Sequence, residues 1–246
     1  MSRETPLEPE EIQPEMCSVE LRLEILSQVP FFEGLGARAI EDINRRFRDR
    51  GYQPGQPIYM AGEEATHLYV VASGKVKLLR HTMAGQDVLL DILTPGEFFG
   101  ALATLGESVY PDTAEAQTVC CALAISAAEF QRILEAHPTA ALRVLALTAG
   151  RLREAQETIR QLSAHTVRQR IATTLLKLAE KVGEEREEGL LIQMPLSRQD
   201  VADMTGATPE TTSRVLSDFR KQGLIRSGRQ WIAIVDWEGV VREAAE

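Results

Sequence analysis

The chain has 246 residues, 44% of them hydrophobic and 26% charged, the balance of a globular protein with one large core or two ordinary ones. That excludes a disordered chain and a collagen-like repeat, and the longest apolar run, Val119 to Ile125, is seven residues against the roughly 20 that span a bilayer. The net charge of −9, from 27 basic and 36 acidic residues, speaks against a nucleic-acid binder over the whole chain but leaves room for a local basic face.

Residues 1 to about 26 carry seven Glu and two Arg, with three prolines before Cys17. They read as an acidic, solvated extension that turns helical from about Val19. The start has no apolar core for a signal peptide, so a cytoplasmic protein without a membrane partner is expected. From Ile25 to Arg46 the pattern suggests short helices, with Phe31, Phe32 and Leu35 as a packing plug. Glycines then fall at 55, 62, 74, 85 and 96. Between and after them lie short β-like pieces: Ile58–Met60, Leu68–Val71, Val76–His81, Val88–Leu93 and Glu115–Ile125. Turn signals at this spacing mark a sandwich or small barrel.

Cys17, Cys120 and Cys121 are too few and too badly placed for a disulfide framework. As strand neighbours, Cys120 and Cys121 would point to opposite faces. Buried structural thiols are the plain reading; a redox pair of Cys17 with Cys120 or Cys121 is the alternative. Neither C-x2-C nor Cys/His pairs at ligand spacing occur, so no metal site is expected.

After His137-Pro138 the period becomes helical. Leu142, Leu145, Ala149, Leu152, Gln156, Ile159 and Ser163 step by 3 and 4 alternately, the a/d seam of a two-stranded coiled coil. Its flanks (Arg151, Arg153, Glu154, Glu157, Arg160) are charged, so the seam predicts a dimer helix rather than one packed on its own domain. A second helix runs from about Thr166 to Val182, and GEEREEG follows as an exposed loop.

The segment LSRQDVADMTGATPETTSRVLSDFRKQGLI predicts a helix-turn-helix. Ser197 is placed as N-cap with Asp200 at N3, Gly206 ends the first helix, Thr208 caps the second and Pro209 opens it. A hairpin from Ile225 to Val235, turning at Ser227-Gly228, would make the wing. Val215, Phe219 and Leu224 are spaced to pack inward. Glu210, Thr211, Ser213 and Arg214 lie where a recognition helix meets base edges. Arg fits guanine O6 and N7, and Glu accepts from cytosine N4. From Pro195 to Trp231 six basic residues face four acidic ones, a local +2. Ser197, Arg198, Thr208, Lys221 and Arg229 are the candidates for backbone phosphates.

Over about residues 25 to 236 the sequence resembles the CRP/FNR regulators. The resemblance rests on IYMAGEEATHLYVVASGKVKLL, DILTPGEFFGAL and TAEAQTVCCALAISAAEF, on the long helix after Pro138, and on GATPETTSRVLSDFRKQGLI. It implies an α+β protein: residues 1–26 an acidic extension; 27–138 a double-stranded β-helix, or jelly roll, of the cyclic-nucleotide-binding type; 139–163 a dimerisation helix; 164–246 a winged helix-turn-helix. The implied function is a homodimeric, sequence-specific transcriptional regulator of double-stranded DNA, an activator that touches RNA polymerase through loops of the β-roll. Glu210, Ser213 and Arg214 form an E-x-x-S-R motif like that of FNR-type readers. That motif implies TTGAT-like half-sites in an inverted repeat, about one helical turn or 34 Å apart.

The effector pocket departs from the family. Where a Glu should hold the ribose stands Gly100-Ala101-Leu102, and the phosphate segment Tyr110-Pro111-Asp112-Thr113-Ala114 has no Arg; none occurs between Arg80 and Arg132. A buried phosphate without a cation costs several kcal/mol. Gly100, Ala101, Asp112 and Thr113 therefore mark a degenerate pocket, and cyclic AMP is not expected. An iron–sulfur cluster on three thiols is not expected either. Haem would need an axial ligand from His67, His81, His137 or His165, none in a motif. No cofactor is predicted. A haem- or thiol-based sensor of the same fold, or a ligand-binding module without DNA readout, are the alternatives. The chain carries no P-loop, G-x-S-x-G or H-E-x-x-H, so no enzyme is expected.

Overall fold

A computed structural model describes residues 17–81, 87–100 and 108–245, and the chain divides into two compact units between Arg153 and Glu154. In the first unit, α1 (Val19–Gln28) begins at Ser18, whose hydroxyl accepts the Leu21 N–H at 3.2 Å, and α2 (Ala37–Asn44) follows. Eight strands come next: β1 (Arg48–Tyr52), β2 (Pro57–Tyr59), β3 (His67–Ser73), β4 (Val76–His81), β5 (Asp87–Leu93), β6 (Phe98–Gly100), β7 (Thr113–Ala116) and β8 (Cys120–Ser126). They form two antiparallel sheets, ordered β1-β8-β3-β6 and β2-β7-β4-β5. Then come α3 (Ala127–Ala136) and α4 (Pro138–Ala164), whose residues from Glu154 onward belong to the second unit.

Within the first sheet β8 is buried on both faces, and the alternation along it shows how. Cys121, Leu123 and Ile125 join a core with Leu26 of α1, Phe31, Phe32, Ile43 of α2, Phe130 of α3 and Val144 of α4. Cys120 and Ala122 turn the other way, into a core shared with Tyr59, Val76 and Ala114 of the second sheet. A strand with two buried faces reads as a continuous apolar run.

Several sequence expectations are corrected. Glu115–Ile125 is not one strand but β7 and β8, which lie in different sheets. Between them the Gln117 N–H donates to the Lys75 carbonyl at 2.9 Å, and the Thr118 hydroxyl accepts from the Lys75 N–H at 2.9 Å. Those bonds turn the chain where composition shows no break. β1 and β6 were not foreseen, because RDRGY is polar and FFG is very short. The chain from Cys17 onward is integrated with the β-roll unit, and residues 1–16 of the expected extension lie outside the described residues. Cys17 and Cys121, read first as buried thiols, are joined in a disulfide, one of the two pairings named as the alternative.

The second unit holds α5 (Val167–Val182), β9 (Gly183–Arg186), β10 (Gly189–Ile192), α6 (Arg198–Thr205), α7 (Pro209–Lys221), β11 (Ile225–Gly228), β12 (Trp231–Ile234) and α8 (Trp237–Ala245). GEEREEG, expected as a loop, is the β9–β10 hairpin, joined to the wing in one sheet ordered β11-β12-β10-β9. Gly189 makes this pairing, since at φ +117° a Cβ there would stand 2.3 Å from the Ile234 carbonyl oxygen. The core is Ile171, Leu175 and Leu178 of α5 with Val201, Leu216, Phe219, Ile232 and Val240. α8 was not foreseen; it packs on α5.

Candidate functional site

The helix-turn-helix forms for the local reasons its sequence suggests. Ser197 and Asp200 make a capping box at α6: the Ser197 hydroxyl accepts the Asp200 N–H at 3.1 Å, and the Asp200 carboxylate accepts the Ser197 N–H at 2.7 Å. Gly206 ends α6 in the left-handed region at φ 58°. The Thr208 hydroxyl caps α7 through the Thr211 N–H at 3.3 Å, and Pro209 occupies the first turn.

α7 then separates its faces. Thr212, Val215, Leu216 and Phe219 are buried, while Glu210 and Arg214 are exposed and Thr211 and Ser213 half-buried. The helix therefore holds these four residues in its first turn and a half, on a side turned away from the core. Arg214 does not pair with Glu210; its Nη2 donates to the Thr211 hydroxyl at 3.3 Å, and both charges remain open to solvent.

The phosphate candidates fall into three kinds. Ser197, Arg198 and Arg229 line one cavity of about 350 Å³ between the start of α6 and the wing, together with Leu216, Ser227 and Gln230. Arg198 Nη1 is buried with no hydrogen-bond partner in the protein. Thr208 uses its hydroxyl inside the α7 cap, with its side chain at the surface. Lys221 is exposed at the end of α7, 3.9 Å from Asp218.

The wing turns two residues later than expected, at Arg229-Gln230, where Gln230 has φ 62°. Gly228 is needed for packing instead: it pairs across the ladder with Trp231, and a Cβ would lie 2.2 Å from the Trp231 ring nitrogen. The glycine drew the turn to itself in the sequence, and no local signal marked Gln230.

In the β-roll, Gly100 has φ +92°, and a Cβ there would lie 2.9 Å from the His67 carbonyl oxygen. Ala101 lies outside the described residues. Thr113 is buried, its hydroxyl accepting the Ala61 N–H at 3.0 Å. Asp112 accepts the Tyr59 hydroxyl at 2.9 Å. Tyr59 is the residue sequence reasoning missed. Its ring stacks on Tyr110 with centroids 3.9 Å apart, and Tyr69 and Phe99 complete an aromatic cluster. Burial first, then the Asp112 charge, pushes the Tyr59 hydroxyl far above its ordinary pKa, so it stays a proton donor.

Along α4, Ala140 and Val144 are buried against the β-roll, whereas Leu142, Leu145, Leu152 and Ile159 are 68%, 66%, 60% and 63% exposed. Ala149 is half-buried and Gln156 exposed. Four large apolar side chains on one stripe, each mostly in water, are an unpartnered face.

Among known proteins, residues 49–137 match the cyclic nucleotide-binding domain family and residues 169–242 the Crp-like helix-turn-helix domain family. The chain is 34% identical over 199 residues to the cyclic AMP receptor protein of Thermus thermophilus, covering 81% of this chain and 89% of that one. It is 28% identical over 221 residues to a CRP-like cAMP-activated global transcriptional regulator of Mycobacterium tuberculosis, covering 90% and 99%. Among solved structures, FixK2 from Bradyrhizobium japonicum superposes with a TM-score of 0.72 at 25% identity, over 81% of this chain and 98% of that one. A CRP-family regulator from Thermus thermophilus does so at 0.69 and 29%, over 80% and 97%.

Proposed function

The chain belongs to the CRP/FNR family of DNA-binding transcriptional regulators, and from that premise we propose that it works as a homodimer that reads a TTGAT-like inverted repeat and activates transcription without cyclic AMP. The observation that carries the reading is the division of α7, which buries Thr212, Val215, Leu216 and Phe219 and presents Glu210, Ser213 and Arg214 together. Arg214 supplies paired donors for a guanine edge and Glu210 an acceptor for cytosine N4. The phosphate backbone beside those bases is held by Arg198 and Arg229 in the cavity at the start of α6, where the positive end of the helix adds to their charge.

Dimerisation supplies the second half-site, and the stripe Leu142, Leu145, Leu152 and Ile159 supports it. Contact with RNA polymerase through the β-roll surface is the family's route to activation. Independence from cyclic AMP is supported by the Tyr59–Asp112 bond and the Tyr59–Tyr110 stack, which put a carboxylate and two rings where a nucleotide needs a cation. The cAMP-activated regulators among its relatives are so described for themselves.

The test is a binding titration of the purified protein, with nothing added, on a TTGAT inverted repeat and on a scrambled repeat at the same salt. Tight binding to the first and weak binding to the second is the expected result. Equal affinity for both overturns the base-reading assignment.

A further inference from the structure

Cys17 directly precedes Ser18, the N-cap of α1, and its sulfur is bonded to that of Cys121 on β8, with the two Cα atoms 5.9 Å apart and 104 residues between them in sequence. β8 is an inner strand, paired with β1 on one side and β3 on the other. Cys121 is fully buried and Cys17 half-buried. Cys120 cannot replace Cys121, because its side chain enters the core on the opposite face of the sheet.

The bond is not what keeps α1 in place. Ile25 and Leu26 are buried in the helix-side core, and Arg22 donates to the Asn44 side chain at 2.9 Å and to the Asn44 and Phe47 carbonyls at 3.0 and 3.1 Å. It can therefore open without unfolding the helix. A regulator of DNA, the reading on which this inference rests, works in a compartment kept reducing, where protein disulfides are transient and sensing rather than structural.

The bond also lies in the core that seats α4. Cys121 belongs to the cluster that holds Phe31, Phe98, Phe130 and Val144, with Cys17 and Leu147 packed against it. The Phe31 ring meets the Phe98 and Phe130 rings edge-on at 5.1 and 5.6 Å. Arg151 of α4 donates to the Phe98 carbonyl at 2.6 Å and lays its guanidinium 3.9 Å from the centroid of the Phe98 ring. One continuous packed chain thus runs from the disulfide to α4.

We propose that Cys17 and Cys121 are a thiol–disulfide switch that changes how α4 is seated and, through α4, the affinity for DNA. The oxidant is a low-molecular-weight disulfide such as glutathione disulfide. In closing, the two cysteine thiols give two protons and two electrons to that disulfide, their S–S bond forms, and two small thiols leave. In opening, a small thiolate attacks the sulfur of Cys17, the less buried of the two cysteines, Cys121 departs as a thiolate and takes a proton, and a second small thiol resolves the mixed disulfide. The switch acts because the two states present different packing to α4, and only such a difference can shift affinity.

The experiment equilibrates the full chain in glutathione buffers of graded ratio and reads three quantities: alkylation of each cysteine by mass spectrometry, amide exchange over Pro138–Arg153, and DNA affinity. Cys17 and Cys121 should become protected together and be released together, exchange over that stretch should change several-fold, and affinity should change at least fivefold. Cys17→Ser, and separately Cys121→Ala, should remove all three responses, while Cys120→Ala keeps them. A Cys17 that stays alkylatable at every ratio overturns the proposal. So does identical exchange in the two states, or DNA binding that is measurable and equally tight in both. If protection and exchange respond but DNA binds in neither state, the switch stands and the DNA-binding reading falls.

Discussion

The guanidinium of Arg168 forks onto the carboxylate of Glu243, with Nη2 donating to Oε1 at 2.7 Å and Nε donating to Oε2, so that α5 is tied to α8. The same guanidinium lies 4.7 Å from the centroid of the Phe219 ring. The hydrogen bond from Arg168 holds the Glu243 carboxyl below its usual value of 4.5. A depressed folded value means that the pair stabilises above the unfolded value and loses its contribution as pH falls through the folded one. Glu243→Gln should therefore cost about 1 kcal/mol at neutral pH, the scale of a well-formed bidentate pair near the surface. The difference from wild type should shrink as pH falls below about 4.5. Both tryptophans of the chain, Trp231 and Trp237, lie in this unit, so urea unfolding followed by tryptophan fluorescence measures it directly. A cost that is the same at pH 7 and pH 3 would show that the pair is not the cause.

Arg214→Ala should cost about 1–3 kcal/mol of specific binding and relax the preference at one guanine. Because Arg214 is exposed and its side chain bonds to the Thr211 hydroxyl at the surface, outside the core, the variant should fold normally. Fluorescence anisotropy on matched and mutated repeats separates the two effects. Equal weakening on both would make Arg214 a phosphate contact.

The helix-turn-helix was legible to the residue because its punctuation is local: Ser197, Gly206, Thr208 and Pro209 each act within one turn of where they stand. What the sequence hid depends on partners far along the chain. The break at residues 117–118 is made by Lys75, and the position of the wing turn by the Trp231 ring against Gly228. The Cys17–Cys121 bond spans 104 residues, a distance at which spacing says nothing about proximity. The pocket shows both cases. The lack of an Arg between Arg80 and Arg132 could be read directly, whereas the Tyr59 hydroxyl that bonds Asp112 arrives from a strand 53 residues earlier.

Cyclic AMP should leave DNA affinity unchanged, and direct titration should show no saturable heat. Tyr59→Phe removes a donor from Asp112 without changing ring packing, so it should lower stability by about 0.5–1.5 kcal/mol, the net worth of one hydrogen bond. It should not create cyclic AMP binding, because the Asp112 carboxylate remains. A cyclic AMP response in wild type would instead require the aromatic cluster to open for the nucleotide.

Leu152→Glu tests the seam with little risk to the fold, since Leu152 is 60% exposed in the single chain. In a dimer the same side chain is buried twice over. Losing two buried leucines removes about 3–6 kcal/mol of association free energy, taking roughly 1.5–3 for each. That corresponds to at least about a hundredfold weaker dimer. Sedimentation should show monomer at micromolar concentration, with thermal unfolding of the single chain unchanged. DNA affinity should fall, and its dependence on salt should become about half as steep, because one reading head engages half the phosphates. A variant that still sediments as a dimer would place the interface elsewhere and leave the apolar stripe on α4 without a partner.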